Sequence, residues 1–310
     1  MADIGFIFPG QGSQQVGMGK ELAANFKVAR ETFEEADEAL GFSISSLCFE
    51  GPEEDLKLTQ NTQPAILTVS VACLRVLSEE TGIQPALLAG HSLGEYSSLT
   101  AAGAISFADA VRTVRLRGTY MQEAVPPGEG AMAAILGLEA SEVDDICKKA
   151  AQGEVVSPAN FNSPWQIVIS GHARAVSRAV EYAMERDAKK AVMLAVSAPF
   201  HCSLMEPAAL KLGEALKDVP VSDLKTPVLS NADAAPYPSK DEIKNLLVKQ
   251  VDHPVRWDES MREVVKRKIT AVIEIGPGKV LTGLMRRITK EVKTANMETP
   301  GDLQGLGQFT

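Results

Sequence analysis

Apolar and polar positions alternate in short blocks along this chain. Ile4–Phe8 is an apolar run that stops at Pro9, the pattern of a buried strand. Gly10-Gln11-Gly12-Ser13-Gln14 follows as a Gly-rich loop. The spacing then predicts helices around residues 20–40 and 60–82. Leu87-Leu88-Ala89 is a second short apolar strand. It runs through Gly90-His91-Ser92-Leu93-Gly94 into a helix-compatible stretch to Ala102, and residues 106–124 read as an amphipathic helix.

The texture changes at Pro126-Pro127-Gly128, a cluster of breakers. Beyond it the pattern predicts strand at Ala131–Leu138, helix at 141–151 and strands at 154–161 and Gln166–Ser170. Helix at 174–187 and strand at Ala191–Val196 complete it. This βαββαβ order is the ferredoxin-like pattern. It predicts a small domain, residues 126–197, inserted into a larger one made of residues 1–125 and 198–310. Pro227–Ser230 and Ala271–Ile275 look like further buried strands, and Gly276-Pro277-Gly278 opens a helix at about 280–289. Strands alternating with helices predict an α/β fold with a mostly parallel sheet covered on both faces. After Asn296 the residues show no periodicity, which predicts a loose tail.

Composition narrows the class. The chain has 310 residues, long enough for about two domains. Its 31 Lys+Arg against 40 Asp+Glu give a net charge of −9, which argues against a general nucleic-acid binder. No apolar run approaches the roughly 20 residues needed to span a bilayer, and Met-Ala-Asp-Ile-Gly does not read as a signal peptide. Cys48, Cys73, Cys147 and Cys202 lie far apart without a C-x-x-C, which fits reduced thiols in a cytoplasm and neither a disulfide framework nor a zinc site.

Gly90-His91-Ser92-Leu93-Gly94 matches G-x-S-x-G, with a strand before it and a helix after it. A sharp strand-to-helix turn lifts the serine hydroxyl above the sheet, and the flanking glycines allow close backbone approach. The amide after the serine can then serve an oxyanion. A serine nucleophile needs a base, and the candidates are His91, His172, His201 and His253. His201 follows a strand end where the chain returns to the large domain, the kind of position where sites form. Gln250 or Asp252 could orient it. On the 106–124 helix, Phe107, Val111, Val114, Gly118 and Met121 form one apolar stripe, at about 100° per residue. Arg117 falls at its margin. An arginine there suits a structural salt bridge or a bound anionic substrate group.

Phe8-Pro9-Gly10-Gln11-Gly12-Ser13-Gln14, Gly90-His91-Ser92-Leu93-Gly94-Glu95-Tyr96, Arg115-Leu116-Arg117-Gly118, Pro199-Phe200-His201, Gln250 to Trp257 and Ile275-Gly276-Pro277-Gly278 occur in this order. Together they resemble the malonyl-CoA:acyl-carrier-protein transacylases of type II fatty acid synthesis, over about residues 3–290. The resemblance implies a hydrolase-like large domain with the ferredoxin-like insertion. It implies Ser92 as acylated nucleophile, His201 as base, and the Gln250 carbonyl as orienting group. The amides of Gln11 and Leu93 would form the oxyanion hole. Arg117, Met121 and Phe200 would bind substrate, with Arg117 on the malonyl carboxylate and bulky Phe200 excluding methylmalonyl. The partners implied are coenzyme A and an acyl carrier protein, with no metal or other cofactor, no nucleic acid and no membrane. The carrier is expected to be acidic, so docking would use a local basic cluster: Lys189-Lys190, Lys266-Arg267-Lys268, or Arg286-Arg287 with Lys290. A serine esterase or thioesterase with the same elbow is the rival activity, and a catalytically silent docking module the rival from another class.

Overall fold

The computed structural model describes residues 3–196 and 198–309. Ser197, the last residue of the predicted insertion, and the termini Met1, Ala2 and Thr310 lie outside the described residues. There are two sheets among the described residues. The strands are β1 (Ile4–Phe8), β2 (Leu87–Gly90), β3 (Gly130–Leu136), β4 (Val156–Ser163), β5 (Gln166–His172), β6 (Lys190–Met193), β7 (Val228–Leu229), β8 (Ala271–Ile275) and β9 (Lys293–Met297).

The larger sheet has the order β7-β2-β1-β8-β9 and every pairing in it is parallel. Parallel strands need covered faces, and β1, β2 and β8 are buried at every residue. Side chains alternate between the faces. Phe6, Phe8, Leu88 and Ile273 enter one core with the helices Thr59–Thr81 and Phe107–Glu123. Ile7, Leu87, Ala89 and Val272 enter another, built with Trp257, Met261 and Met285. The chain leaves β1 for β2 on one side and returns as β8 on the other, so β1 marks a reversal of strand order. Sites form beyond the C-terminal ends of strands at such a point. The register pairs Phe8 with Gly90, so the loops after β1 and β2 emerge side by side.

The smaller sheet has the order β4-β5-β3-β6 with antiparallel pairing throughout. The helices Ala140–Ala151 and Ala173–Glu185 cover it, through a core of Ile135, Ile146, Ile169 and Val176. That is the ferredoxin-like arrangement, from strands lying between residues 130 and 193. Two main-chain hydrogen bonds tie β4 to the rest: Val255 N–H donates to Ala159 O and Phe161 N–H donates to Val255 O, each 2.9 Å.

The structure corrects three sequence expectations. The segment after Asn296 is ordered. It completes β9, paired along its length with β8, and continues through a capped turn at Pro300–Asp302 into a helix, Leu303–Leu306, with Leu306 buried. An edge strand of mixed polarity carries no apolar run, so pairing orders it without periodicity to announce it. β6 is Lys190–Met193, shorter at its end and earlier in start than Ala191–Val196. Arg117 is not marginal on its helix but 1% exposed, because the start of another helix packs over it.

Candidate active site

At the end of β2 the chain turns abruptly. Ser92 has φ 52°, in the left-handed region, which costs a non-glycine residue about 1–3 kcal/mol unless its surroundings enforce it. The glycines on either side make the turn possible. A Cβ on Gly90 would lie 1.9 Å from Gly94 O, and one on Gly94 would lie 2.1 Å from Phe8 O. The helix Gly94–Ala101 starts at once, so the Leu93 amide lies at its N-terminus.

His201 also has a positive φ, 60°. Its Nε2 lies 2.7 Å from Ser92 Oγ, and its Nδ1 lies 2.8 Å from the main-chain oxygen of Gln250. A carbonyl only accepts, so Nδ1 carries the hydrogen and Nε2 faces the serine hydroxyl as acceptor. The orienting choice between Gln250 and Asp252 thus falls to Gln250, while Asp252 pairs with His253 at 2.6 Å. The other histidines are engaged elsewhere. His91 Nε2 meets Asn162 Oδ1 at 2.8 Å, and His172 Nδ1 accepts from Val155 N–H at 2.9 Å.

Burial, then the nearby Arg117 guanidinium, push His201 down to about 3. The fold therefore favours neutral imidazole, and protonating it costs stability as pH falls from about 6.5 toward 3. The expected kinetic result is an acylation rate with no histidine limb between pH 8 and about 5. A kcat/KM profile falling with a midpoint near 6.5 would show an ordinary, solvated base.

Arg117 lies one hydrogen bond from Ser92. Its Nη2 donates to Ser92 Oγ at 3.1 Å and to Gln250 Oε1 at 2.9 Å; its Nη1 donates to Gln63 Oε1 at 2.8 Å. Ser106 caps its helix, accepting from Asp109 N–H at 3.1 Å, a contact typically contributing about 1 kcal/mol. Gly118 lets that helix approach the start of the helix Thr59–Thr81. A Cβ there would lie 2.7 Å from Thr59 O and 2.8 Å from Gln60 Cα, and this contact brings Gln63 over Arg117. Among the described residues Arg117 has no carboxylate within ion-pair distance, and its Nε has no partner. The structural salt bridge is therefore not what the arginine makes. A buried cation without a paired anion costs several kcal/mol, and the Glu95 carboxyl acts on this one only from beyond ion-pair distance.

Gln63, Asn231 and Glu95 belong to this network, and Tyr237 backs Glu95 from outside it; none of the four is a candidate from the sequence. Gln63 Nε2 also points to Met121 Sδ, at 3.8 Å. Asn231 Oδ1 accepts from Ser92 N–H at 2.6 Å, and its Nδ2 donates to Gly90 O at 2.7 Å. Asn231 lies just past β7, the neighbour of β2. A polar residue at the C-terminal end of a parallel strand was the one available signal. Gln63 carried a weaker one, a long amide in an otherwise apolar helix.

The remaining sequence candidates lie close by. A Cβ on Gly10 would stand 2.4 Å from His91 O, so the Gln11 loop adjoins the elbow. The amides of Gln11 and Leu93 have no protein acceptor among the described residues. Met121 and Phe200 are buried, the latter beside His201 in the chain.

A half-buried serine on a strand-to-helix turn, a histidine held by a carbonyl and a pair of open amides define an α/β enzyme of the acyl-serine class. The description "Acyl transferase domain" matches residues 5–302, and the chain belongs to that family. The malonyl CoA-acyl carrier protein transacylase of Bacillus subtilis (strain 168) is 50% identical over 305 residues, 98% of this chain and 96% of that one. The transacylase of Escherichia coli (strain K12) is 48% identical over 300 residues, 97% of each. An acyl carrier protein S-malonyltransferase structure from Vibrio cholerae superposes with TM-score 0.96 at 46% identity, covering 98% of this chain and all of that one. A malonyl-transacylase solved in complex with a type II PKS acyl-carrier protein has TM-score 0.97 and 46% identity, with both chains fully covered.

Proposed function

We propose that this protein transfers a malonyl group from coenzyme A to the thiol of an acyl carrier protein through an acyl-Ser92 intermediate, in the cytoplasm. The observation that carries the choice of acyl group is Arg117. It is a buried guanidinium with no carboxylate partner among the described residues, 3.1 Å from the serine hydroxyl. An acyl chain ending in a carboxylate supplies the missing anion, and the planar guanidinium offers it two parallel donors.

The first half-reaction breaks the thioester. Ser92 Oγ attacks the carbonyl carbon while His201 Nε2 takes the hydroxyl proton. The tetrahedral oxyanion is received by the amides of Gln11 and Leu93. The C–S bond then breaks, and the imidazolium returns the proton to the leaving thiolate. In the second half-reaction the carrier's phosphopantetheine thiol gives its proton to His201 and attacks the acyl-serine. Serine leaves and is reprotonated. Each proton and each developing charge has a named protein group, so the scheme needs no metal or redox cofactor. Residues 126–197 are read as the inserted domain of this enzyme.

Of the basic clusters considered for carrier docking, Lys266 and Arg267 are already paired with Glu263, at 3.4 and 2.8 Å. Lys189-Lys190 and Arg286-Arg287 with Lys290 are exposed and have no ion pair among the described residues. They are the better match for an acidic partner.

The test is intact mass after mixing with malonyl-CoA. One malonyl adduct is expected, mapped to Ser92, stable for minutes without acceptor and discharged by holo carrier protein. Rapid loss to water would make the protein a thioesterase. Phe200 is expected to restrict the acyl pocket. Excluding one methyl group is worth about 1–3 kcal/mol. Phe200→Ser should therefore raise the methylmalonyl-to-malonyl transfer ratio by roughly ten-fold, measured with both thioesters in competition. An unchanged ratio in a folded variant would make Phe200 a packing residue only.

A further inference from the structure

We infer that Glu95 is a positioning residue for the nucleophile: its Oε2 is the shared acceptor that anchors Asn231, by its main-chain N–H, and the Gln250 amide, the two residues whose side chains grip the main chain of Ser92. This rests on the reading of Ser92 as the acylated residue.

The contacts converge on one oxygen. Glu95 Oε2 accepts from the main-chain N–H of Asn231 at 3.0 Å and from Gln250 Nε2 at 2.6 Å. Those residues hold the two faces of the strained serine. Asn231 Oδ1 takes Ser92 N–H at 2.6 Å, and the same Gln250 Nε2 donates to Ser92 O at 2.8 Å. Ser92 is half-buried with φ 52° and lies outside any strand or helix; its one main-chain hydrogen bond among the described residues is from Glu95 N–H to Ser92 O, at 3.1 Å. The two side-chain amides add to that single turn bond, one on each side of the serine.

The carboxylate also decides which way Gln250 faces. Glu95 offers Gln250 only acceptors and Arg117 offers it only donors. The amide therefore turns its NH2 to Glu95 and its Oε1 to Arg117, at 2.9 Å. Reversed, it would put donor against donor and acceptor against acceptor. Gln250's own main-chain oxygen meanwhile holds His201. The Glu95 side chain thus reaches the serine, the base and the arginine through one neighbour, although its own contacts are with Asn231, Gln250 and Tyr237, and the residue is 0% exposed. Its other oxygen accepts from Tyr237 Oη and takes no part in the grip.

What the grip needs is an acceptor at that reach, and charge is secondary. Burial raises the Glu95 carboxyl to about 7, against Tyr237, Gln250, Asn231 and Arg117, which all pull it down. The neutral acid can donate to Tyr237 and still accept at Oε2. Glutamine reproduces that pattern, with its oxygen in the Oε2 place and Tyr237 Oη as acceptor. Aspartate keeps the charge and withdraws the oxygen by one methylene.

The experiment is the rate of Ser92 acylation by malonyl-CoA and by acetyl-CoA, read by quenched-flow mass spectrometry, with a thermal melt on each variant. Glu95→Gln is expected within five-fold of the parent. Glu95→Asp is expected to lower kcat at least thirty-fold for both thioesters, with KM within three-fold, because Glu95 does not touch the acyl group. Asn231→Ala, which removes one side of the grip directly, should reproduce that loss. Tyr237→Phe should stay within three-fold. A Glu95→Asp or Asn231→Ala enzyme at the parent rate overturns the inference. So does Glu95→Gln falling below Glu95→Asp, which would make the charge the active feature. Tyr237→Phe falling as far as Glu95→Asp overturns it too, by showing general loss of packing. A parent adduct on a residue other than Ser92 would instead refute the functional reading and remove the premise.

Discussion

Ser92→Ala is expected to abolish the malonyl adduct, and His201→Ala to slow both half-reactions by roughly a thousand-fold or more. The two effects have different origins. Without Oγ there is no atom to carry the acyl group, so no adduct forms however long the mixing. Without the imidazole the serine stays protonated, because its hydroxyl is a weak nucleophile at neutral pH. One histidine serves both directions: it takes the serine proton during acylation and the carrier thiol's proton during transfer. Acylation and deacylation should therefore fall together, measured as adduct formation with malonyl-CoA and adduct discharge with holo carrier protein. His253→Ala is the control. Its ring is exposed and paired with Asp252, so the parent rate should survive. His201→Ala acylating as fast as the parent would mean that the 2.7 Å contact to Ser92 Oγ is not the base contact.

Arg117→Ala should separate acyl groups that the parent enzyme ranks. Malonyl differs from acetyl by one carboxylate. A buried charged hydrogen-bond pair that loses one partner typically costs about 2–5 kcal/mol, roughly thirty-fold or more in rate. Malonyl transfer should fall by at least that factor, while acetyl transfer stays the same or rises. Acetyl never used the guanidinium, and the variant removes a cation whose burial acetyl could not offset. Arg117→Lys should also be impaired. Lysine supplies charge without the planar fork, and it cannot donate at once toward Gln63, Gln250 and a carboxylate with the same geometry. The measurement is kcat/KM for malonyl-CoA and acetyl-CoA on each variant, with folding checked by melt. Equal loss for both substrates would give Arg117 a structural role and send the carboxylate to another cation. Arg256 is poorly suited, since it pairs with Glu259. Arg115 is closer in kind, being on the same helix and bonded to Gln60 O at 2.8 Å.

Much of the architecture was legible along the chain. β1 and β8 have the limits that the apolar runs predict, because strands buried on both faces are mostly apolar; the exception, buried Glu274 in β8, accepts from the main-chain N–H groups of Leu281 and Thr282. The βαββαβ order after residue 126 followed from alternating periods and breakers, and it is the small sheet observed. The elbow was visible because its chemistry is local: strand, glycine, serine, glycine and helix lie in one stretch. β9 and the helix after it were not visible. Their order comes from pairing with β8 and from the burial of Leu306, and those partners lie far from them in the chain or are single side chains.

The sequence by itself marked Ser92 as the candidate nucleophile, carried the family motifs and set the histidines from which a base could come. Those properties depend on residue type and on neighbours within a few positions. Only the tertiary structure decided which groups meet. It brought His201 across 109 positions to Ser92 and Gln250 across 158. It assigned the imidazole to a main-chain carbonyl, an atom every residue possesses and no composition can single out. It also showed that Arg117 is buried with amides around it and no carboxylate on it. A helical phase can place a residue at the edge of a stripe. What covers that edge is set by another helix, and here the bare Cα of Gly118 admits it.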